Sequence, residues 1–174
     1  MSSGSRNALF SDLSPDILRC LRCSVVKRPK PVVEGKLGFA IVAFEVAVMK
    51  LVENACEERI FPVGRLDRNT TGLLVFTNDG ELAAKLSHPS NEIKKIYQVT
   101  LDKPLTAKDE EEIIEGLTLE DGDAKVDDLQ VLSKDRTILG LEIHIGRNRI
   151  VRRIFSHLGY EVVALDRVMY AGLD

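Results

Sequence analysis

The feature that most constrains the fold is the six-residue run Gly72-Leu-Leu-Val-Phe-Thr77, which offers no polar face to water. A run this short, apolar throughout and bounded by turn residues, reads as a fully buried strand. Phe61-Pro62-Val63-Gly64 leads into a polar loop before it, and Asn78-Asp79-Gly80 breaks the chain after it. Asn78 or Asp79 then caps a short helix, Glu81 to Ser87, which ends before Pro89. Ile93 to Leu101 alternates and is β-branched, so it is a strand. Thr106-Ala-Lys-Asp109 is a capping box that opens an acidic helix stopping at Gly116. Strands follow at 128–133 and 137–145, then a helix from an Asn148 cap to Leu158, closed by Gly159. A last strand spans 161–169. Strands outnumber helices and come in hairpin-like neighbours, so the fold class is α+β with a mixed, mainly antiparallel sheet.

Residues 1–36 hold Pro15, Pro29 and Pro31 and no sustained hydrophobic period, so they read as an arm or linker, with a short helix near 15–24. Residues 38–58 read as a buried strand or helix followed by a helix. The 174 residues amount to about one domain. The longest apolar stretch, Gly38 to Met49, is too short to span a bilayer and contains Glu45, so no membrane partner is expected. Cys20, Cys23 and Cys56 form no complete disulfide set, which points to a reducing compartment and free thiols.

Charge separates along the chain although the total is only −3. Residues 102–128 carry eleven acids against three lysines, a net −8, most simply a solvated face. The remainder is therefore positive, and four arginines with no acid lie between Gly146 and His157. On a helix from Asn148, Ile150, Val151, Ile154, Phe155 and Leu158 share one sector. Arg149, Arg152, Arg153 and Ser156 share the opposite one. Such a stripe, with Arg147 before it, is either a basic solvent face or a polyanion surface. The density of guanidinium groups favours the second, because each can fork to phosphate oxygens.

Gly64-Arg-Leu-Asp-Arg-Asn-Thr-Thr-Gly72 sets Asp67 between two arginines in a loop directly before the buried strand. Loops on a rigid sheet are where catalytic groups tend to sit. A neighbouring guanidinium keeps a carboxylate ionised, which suits a nucleophile or base. Thr70 and Thr71 can tie the loop down. On these residues alone, an ordinary Asp–Arg surface loop remains the alternative.

Taken together, the motifs are a resemblance. Gly64-Arg-Leu-Asp-Arg-Asn-Thr-Thr-Gly-Leu-Leu-Val-Phe-Thr-Asn-Asp-Gly80 resembles the signature of the RsuA/RluB-type ribosomal RNA pseudouridine synthases. Leu86-Ser-His-Pro89, Lys95-Ile-Tyr97-Gln-Val99, Gly146-Arg-Asn-Arg-Ile-Val-Arg-Arg-Ile154 and Leu165-Asp-Arg167 match later motifs in order, over about residues 51–173. The resemblance implies a pseudouridine-synthase-like sheet with flanking helices around a central RNA-binding cleft, in a catalytic domain over 37–174. It implies cofactor-free, metal-free isomerisation of uridine in ribosomal RNA, the large subunit rather than the small, by a cytoplasmic monomer. Asp67 would be the catalytic aspartate. Tyr97 would stack on the flipped base and assist proton movement, and Arg152 would pair with Asp67. Leu165 would line the base pocket, and Leu66 and Thr70 would help bind the substrate. Arg65, Lys95, Arg147, Arg149, Arg153 and Arg167 would hold the RNA. His88 would be a positioning residue.

The chain departs from the family at its start. The small RNA-binding module common there is expected to be absent, and only Lys27-Arg-Pro-Lys-Pro31 is faintly similar to the usual opening motif. A catalytically incomplete, RNA-binding or ribosome-associated remnant is therefore the competing expectation. An acidic interaction protein using residues 102–128 would leave the arginine stripe unexplained.

Overall fold

The computed structural model describes residues 59–174, the strand backbone at 24–28, and residues 49, 50 and 52. Strands are β1 (Ser24–Arg28), β2 (Phe61–Val63), β3 (Thr71–Thr77), β4 (Lys95–Leu101), β5 (Leu117–Leu119), β6 (Gly122–Ala124), β7 (Asp128–Val131), β8 (Ile138–Ile143) and β9 (Val162–Tyr170). Helices are α1 (Gly80–Ser87), α2 (Ala107–Glu115) and α3 (Ile150–His157). Among the described residues the main sheet runs β1-β3-β9-β4-β8-β7, with β2 also on β3, and β5-β6 form a separate hairpin. All pairings are antiparallel except β3 with β9, so the α+β class with a mixed, mainly antiparallel sheet holds. No helix among the described residues is long and apolar enough to cross a membrane.

β3 is buried on both faces, as its composition requires. Leu74 and Phe76 enter one apolar cluster with Ile60 and Leu66; Leu73 and Val75 enter another with Val63 and Tyr170. Alternate side chains of a strand point to opposite faces, so one short strand serves two cores. The larger core lies beyond β9, where Val99, Leu139, Leu141 and Ile143 pack on Ile154 and Phe155 of α3.

β3 meets β9 only at Thr71↔Asp166 and Gly72↔Arg167. Gly72 has φ +108°, and a Cβ there would stand 2.3 Å from the Arg167 carbonyl oxygen. Only glycine permits that approach.

Several expectations change. Ser24–Arg28, read as part of an arm, pairs along its length with β3 from Ser24↔Phe76 to Arg28↔Gly72. Two valines flanked by polar residues are too short a signal to stand out, and the partner supplies the order. The β5–β6 hairpin was not expected either. Its signal is Gly122, which directly follows the two-residue turn Glu120–Asp121 between short apolar alternations. α3 is not capped by Asn148. Arg149 holds the cap position at φ +48° and gives no side-chain capping bond. Asp79 caps α1, accepting from the Glu81 and Leu82 amides. Thr106 caps α2, its Oγ1 accepting the Asp109 amide at 3.1 Å and donating to Asp109 Oδ2 at 2.7 Å, so only the first half of the expected box forms. The Tyr160 hydroxyl reinforces it by accepting the Thr106 amide at 3.2 Å. The remaining readings over 1–58 lie outside the described residues.

Candidate active-site cleft

Leu66 anchors the 64–70 loop. Its side chain is buried beside Leu74 and Phe76, and the Thr70 amide closes a turn on the Asp67 carbonyl at 3.0 Å. The loop is thereby rigid while Asp67 between them stays part-exposed. Thr71 fixes the far end, donating from Oγ1 to Asp166. Asp67 faces a cleft of about 470 Å³, within the range of small-molecule sites.

The opposite wall is the loop into α3. Arg149 places Nη1 4.0 Å from Asp67 Oδ2. Its left-handed backbone is rare for a side chain of this size, and such strain collects at functional sites. The pairing expected for Arg152 thus falls to Arg149. Arg152 sits behind the loop, donating Nη2 to the Asn69 carbonyl at 2.7 Å and Nη1 to the Val162 carbonyl at 2.6 Å. Burial, then Arg149, lower its pKa, while Asp67 and Glu161 oppose the shift. One turn of helix separates Arg149 from Arg152, and the αL kink points the first across the cleft.

The floor comes from β4 and β9. Their pairing runs Ile96↔Met169 and then Tyr97↔Arg167, skipping Val168. This bulge shifts the side-chain parity and sets Tyr97 directly across from Arg167. Arg167 is 4% exposed. It donates Nε and Nη2 to the Leu73 carbonyl at 2.9 and 2.8 Å, and its guanidinium lies 4.6 Å over the Tyr170 ring. Burial raises the Tyr97 pKa above that of an ordinary tyrosine, and Arg167 partly offsets this by charge and hydrogen bonding. Lys95 donates Nζ to the His144 carbonyl at 2.6 Å; burial and then Arg167 lower its pKa.

Of the residues picked out from sequence, Arg65, Leu66, Asp67, Thr70, Lys95, Tyr97, Arg147, Arg149, Leu165 and Arg167 all line this one cleft. Arg152 and Arg153 do not, and Arg153 lies instead against the β5–β6 hairpin. Asp67 is the one acid among the described lining residues, set among Arg65, Lys95, Arg147, Arg149 and Arg167. Thr70 Oγ1 is buried without a hydrogen-bond partner beside it. His88 is at the rim, its Nδ1 2.6 Å from Ser90 Oγ and capping the turn Pro89–Asn91, a positioning arrangement. Sequence reasoning missed His144 and Tyr170, which hold Lys95 and Arg167. Neither carries a motif, and only strand pairing brings them to the cleft.

A lone carboxylate ringed by cations and a half-buried tyrosine on a mixed sheet defines a site for an anionic substrate. A family model described as RNA pseudouridylate synthase matches residues 42–157, and the chain belongs to that family. It is 46% identical over 122 residues to ribosomal large subunit pseudouridine synthase B of Bacillus subtilis, covering 67% of this chain and 50% of that one. It is 40% identical over 113 residues to an uncharacterised RNA pseudouridine synthase of Aquifex aeolicus, covering 64% and 45%. Among solved structures, a pseudouridylate synthase superposes with TM-score 0.60 at 34% identity, covering 64% of this chain and 48% of the other. The chain spans about half the length of these curated relatives.

Proposed function

We propose that this chain, through a catalytic domain spanning 37–174, isomerises uridine to pseudouridine in ribosomal RNA, and that the RNA belongs to the large subunit. The observation that carries the reading is Asp67, the one acid among the described residues lining a cation-rich cleft, faced by Arg149 at 4.0 Å and floored by Tyr97. The name of the Bacillus subtilis relative supports the choice of subunit.

The reaction conserves atoms: the N1–C1′ glycosidic bond breaks, a C5–C1′ bond forms, and the proton at C5 leaves as N1 gains one. Neither oxidant nor cofactor enters the balance. Asp67 attacks the sugar or the base as the first bond breaks, and the uracil rotates before rejoining the ribose. Extracting a base from its stack costs a few kcal/mol. Cations on the flanking phosphates offset that cost. Arg65, Lys95 and Arg149 are placed for this at the cleft wall. Tyr97, a phenol that burial pushes still further from ionisation, stacks on the base and relays protons. Leu66 and Leu165 are apolar walls, and Thr70 stands beside them in the cleft lining. Arg167 and Arg152 act by holding Tyr97 and the Asp67 loop. A cytoplasmic monomer acting on ribosomal RNA completes the reading, in keeping with three cysteines that make no complete disulfide set.

Pseudouridine mapping on unmodified ribosomal RNA, with wild type and Asp67→Asn, tests it. One new Asp67-dependent primer-extension stop is expected, with activity of the variant down by ~10³-fold or more. Activity retained in the variant, or no stop from folded wild type, rejects the reading; the second outcome favours the remnant.

A further inference from the structure

The outer end of the arginine stripe is already occupied. The turn Glu120–Asp121 between β5 and β6 carries the Asp121 carboxylate to Arg147 and Arg153. Asp121 Oδ2 accepts Arg153 Nη1 at 2.8 Å and Oδ1 accepts Arg153 Nη2, a two-pronged contact. Oδ1 also accepts Arg147 Nη1 at 3.0 Å. The carbonyls of Asp121 and Gly122 accept the same Nη1 at 2.9 and 3.2 Å, and that of Asp123 accepts Nη2. Gly122 has φ +111°, and a Cβ there would lie 3.6 Å from Arg147 Nη1. That backbone conformation favours glycine, and the spacing to the guanidinium is ordinary van der Waals contact.

A forked guanidinium receives a carboxylate and a phosphate with the same geometry. All three side chains are partly exposed, at 41% for Asp121, 26% for Arg147 and 32% for Arg153. Exposed ion pairs are weak and yield to a competing polyanion. Arg147 also lines the cleft, so this spot is continuous with the proposed active site. Resting on the RNA reading above, we propose that Arg147 and Arg153 form a subsite for an RNA backbone phosphate beside the cleft. Asp121 fills that subsite in the free protein and yields it to the strand. The acidic hairpin is then a built-in competitor that raises the threshold for binding and selects strands long enough to reach past the flipped nucleotide.

The test is binding of the full chain to a short labelled single-stranded RNA of mixed sequence, across a series of salt concentrations. Asp121→Asn is expected to bind about two- to fivefold tighter at low salt. Its log–log salt slope is expected to steepen by about 0.7 for each phosphate gained. Asp121→Ala is expected to move both readouts the same way. Arg153→Ala is expected to weaken binding more in the Asp121→Asn background than in wild type. Unchanged or weaker binding by both Asp121 variants, with wild type still binding RNA, overturns the competitor and makes the hairpin a strut. Wild type that binds no RNA at any salt overturns the cleft reading itself, and this proposal with it.

Discussion

Arg152 and Arg167 lean on backbone carbonyls, whereas Arg147 and Arg153 lean on a carboxylate as well. A carbonyl fixes where a guanidinium points but leaves its full charge in place. Asp121 fixes the group and cancels much of its field. The inner arginines therefore keep their full positive charge near Asp67, while one carboxylate shared by two guanidiniums leaves the outer pair about half neutralised until another anion arrives. Burial separates them further. Arg167 lies inside the protein, where losing a partner is expensive, and Arg153 lies where water replaces one readily.

Substitution is expected to cost most at the inner site. Gly72→Ala drives a Cβ into the Arg167 backbone and puts alanine at φ +108°. It is expected to cost at least ~3 kcal/mol and to separate β3 from β9. A loss below about 1 kcal/mol in urea unfolding would mean that this junction is soft. Arg167→Met keeps the bulk but removes both bonds to the Leu73 carbonyl, leaving it buried without them. About 2–3 kcal/mol is expected, together with a Tyr97 phenol that ionises at still higher pH, since Arg167 is the group opposing burial there. Ultraviolet titration reads the second effect, which a purely structural role for Arg167 would not produce.

The outer site gives the smallest effect. The hydrogen bond from Arg153, aided by the charges of Arg147 and Arg153, pulls the Asp121 carboxyl from 3.8 to about 2. A depressed acid stabilises its contact above the unfolded pKa and loses it as pH falls through the folded one. The hairpin is thus expected to stay on the stripe from neutral pH down to about 4 and to release near 2. Carboxyl carbon shifts measured by nuclear magnetic resonance follow this directly. A midpoint near the ordinary value would show that Asp121 does not hold the arginines in solution.

Local chemistry is legible wherever neighbours in sequence decide the outcome. The apolar 72–77 run became a strand buried on both faces, the Thr106 cap opened α2, and the apolar face of α3 entered the core with its arginines outside. Motif order placed ten of the twelve candidate site residues in one cleft. What could not be read depends on long-range register. Five residues at 24–28 have no strong pattern of their own and become a strand because β3 offers an unpaired edge.

By itself the sequence determined the class of fold and the family, and it singled out Asp67 as a candidate acid, because propensity, periodicity and motif order are written in the chain itself. Only the tertiary structure decided which cation meets that acid and which are already spoken for. A left-handed residue aims Arg149 at Asp67 in place of Arg152, a skipped Val168 turns Tyr97 to face Arg167, and a distant hairpin brings Asp121 onto Arg147 and Arg153. Each of these is a matter of a few ångströms across elements far apart in the chain, and electrostatic pairing falls off over that same distance.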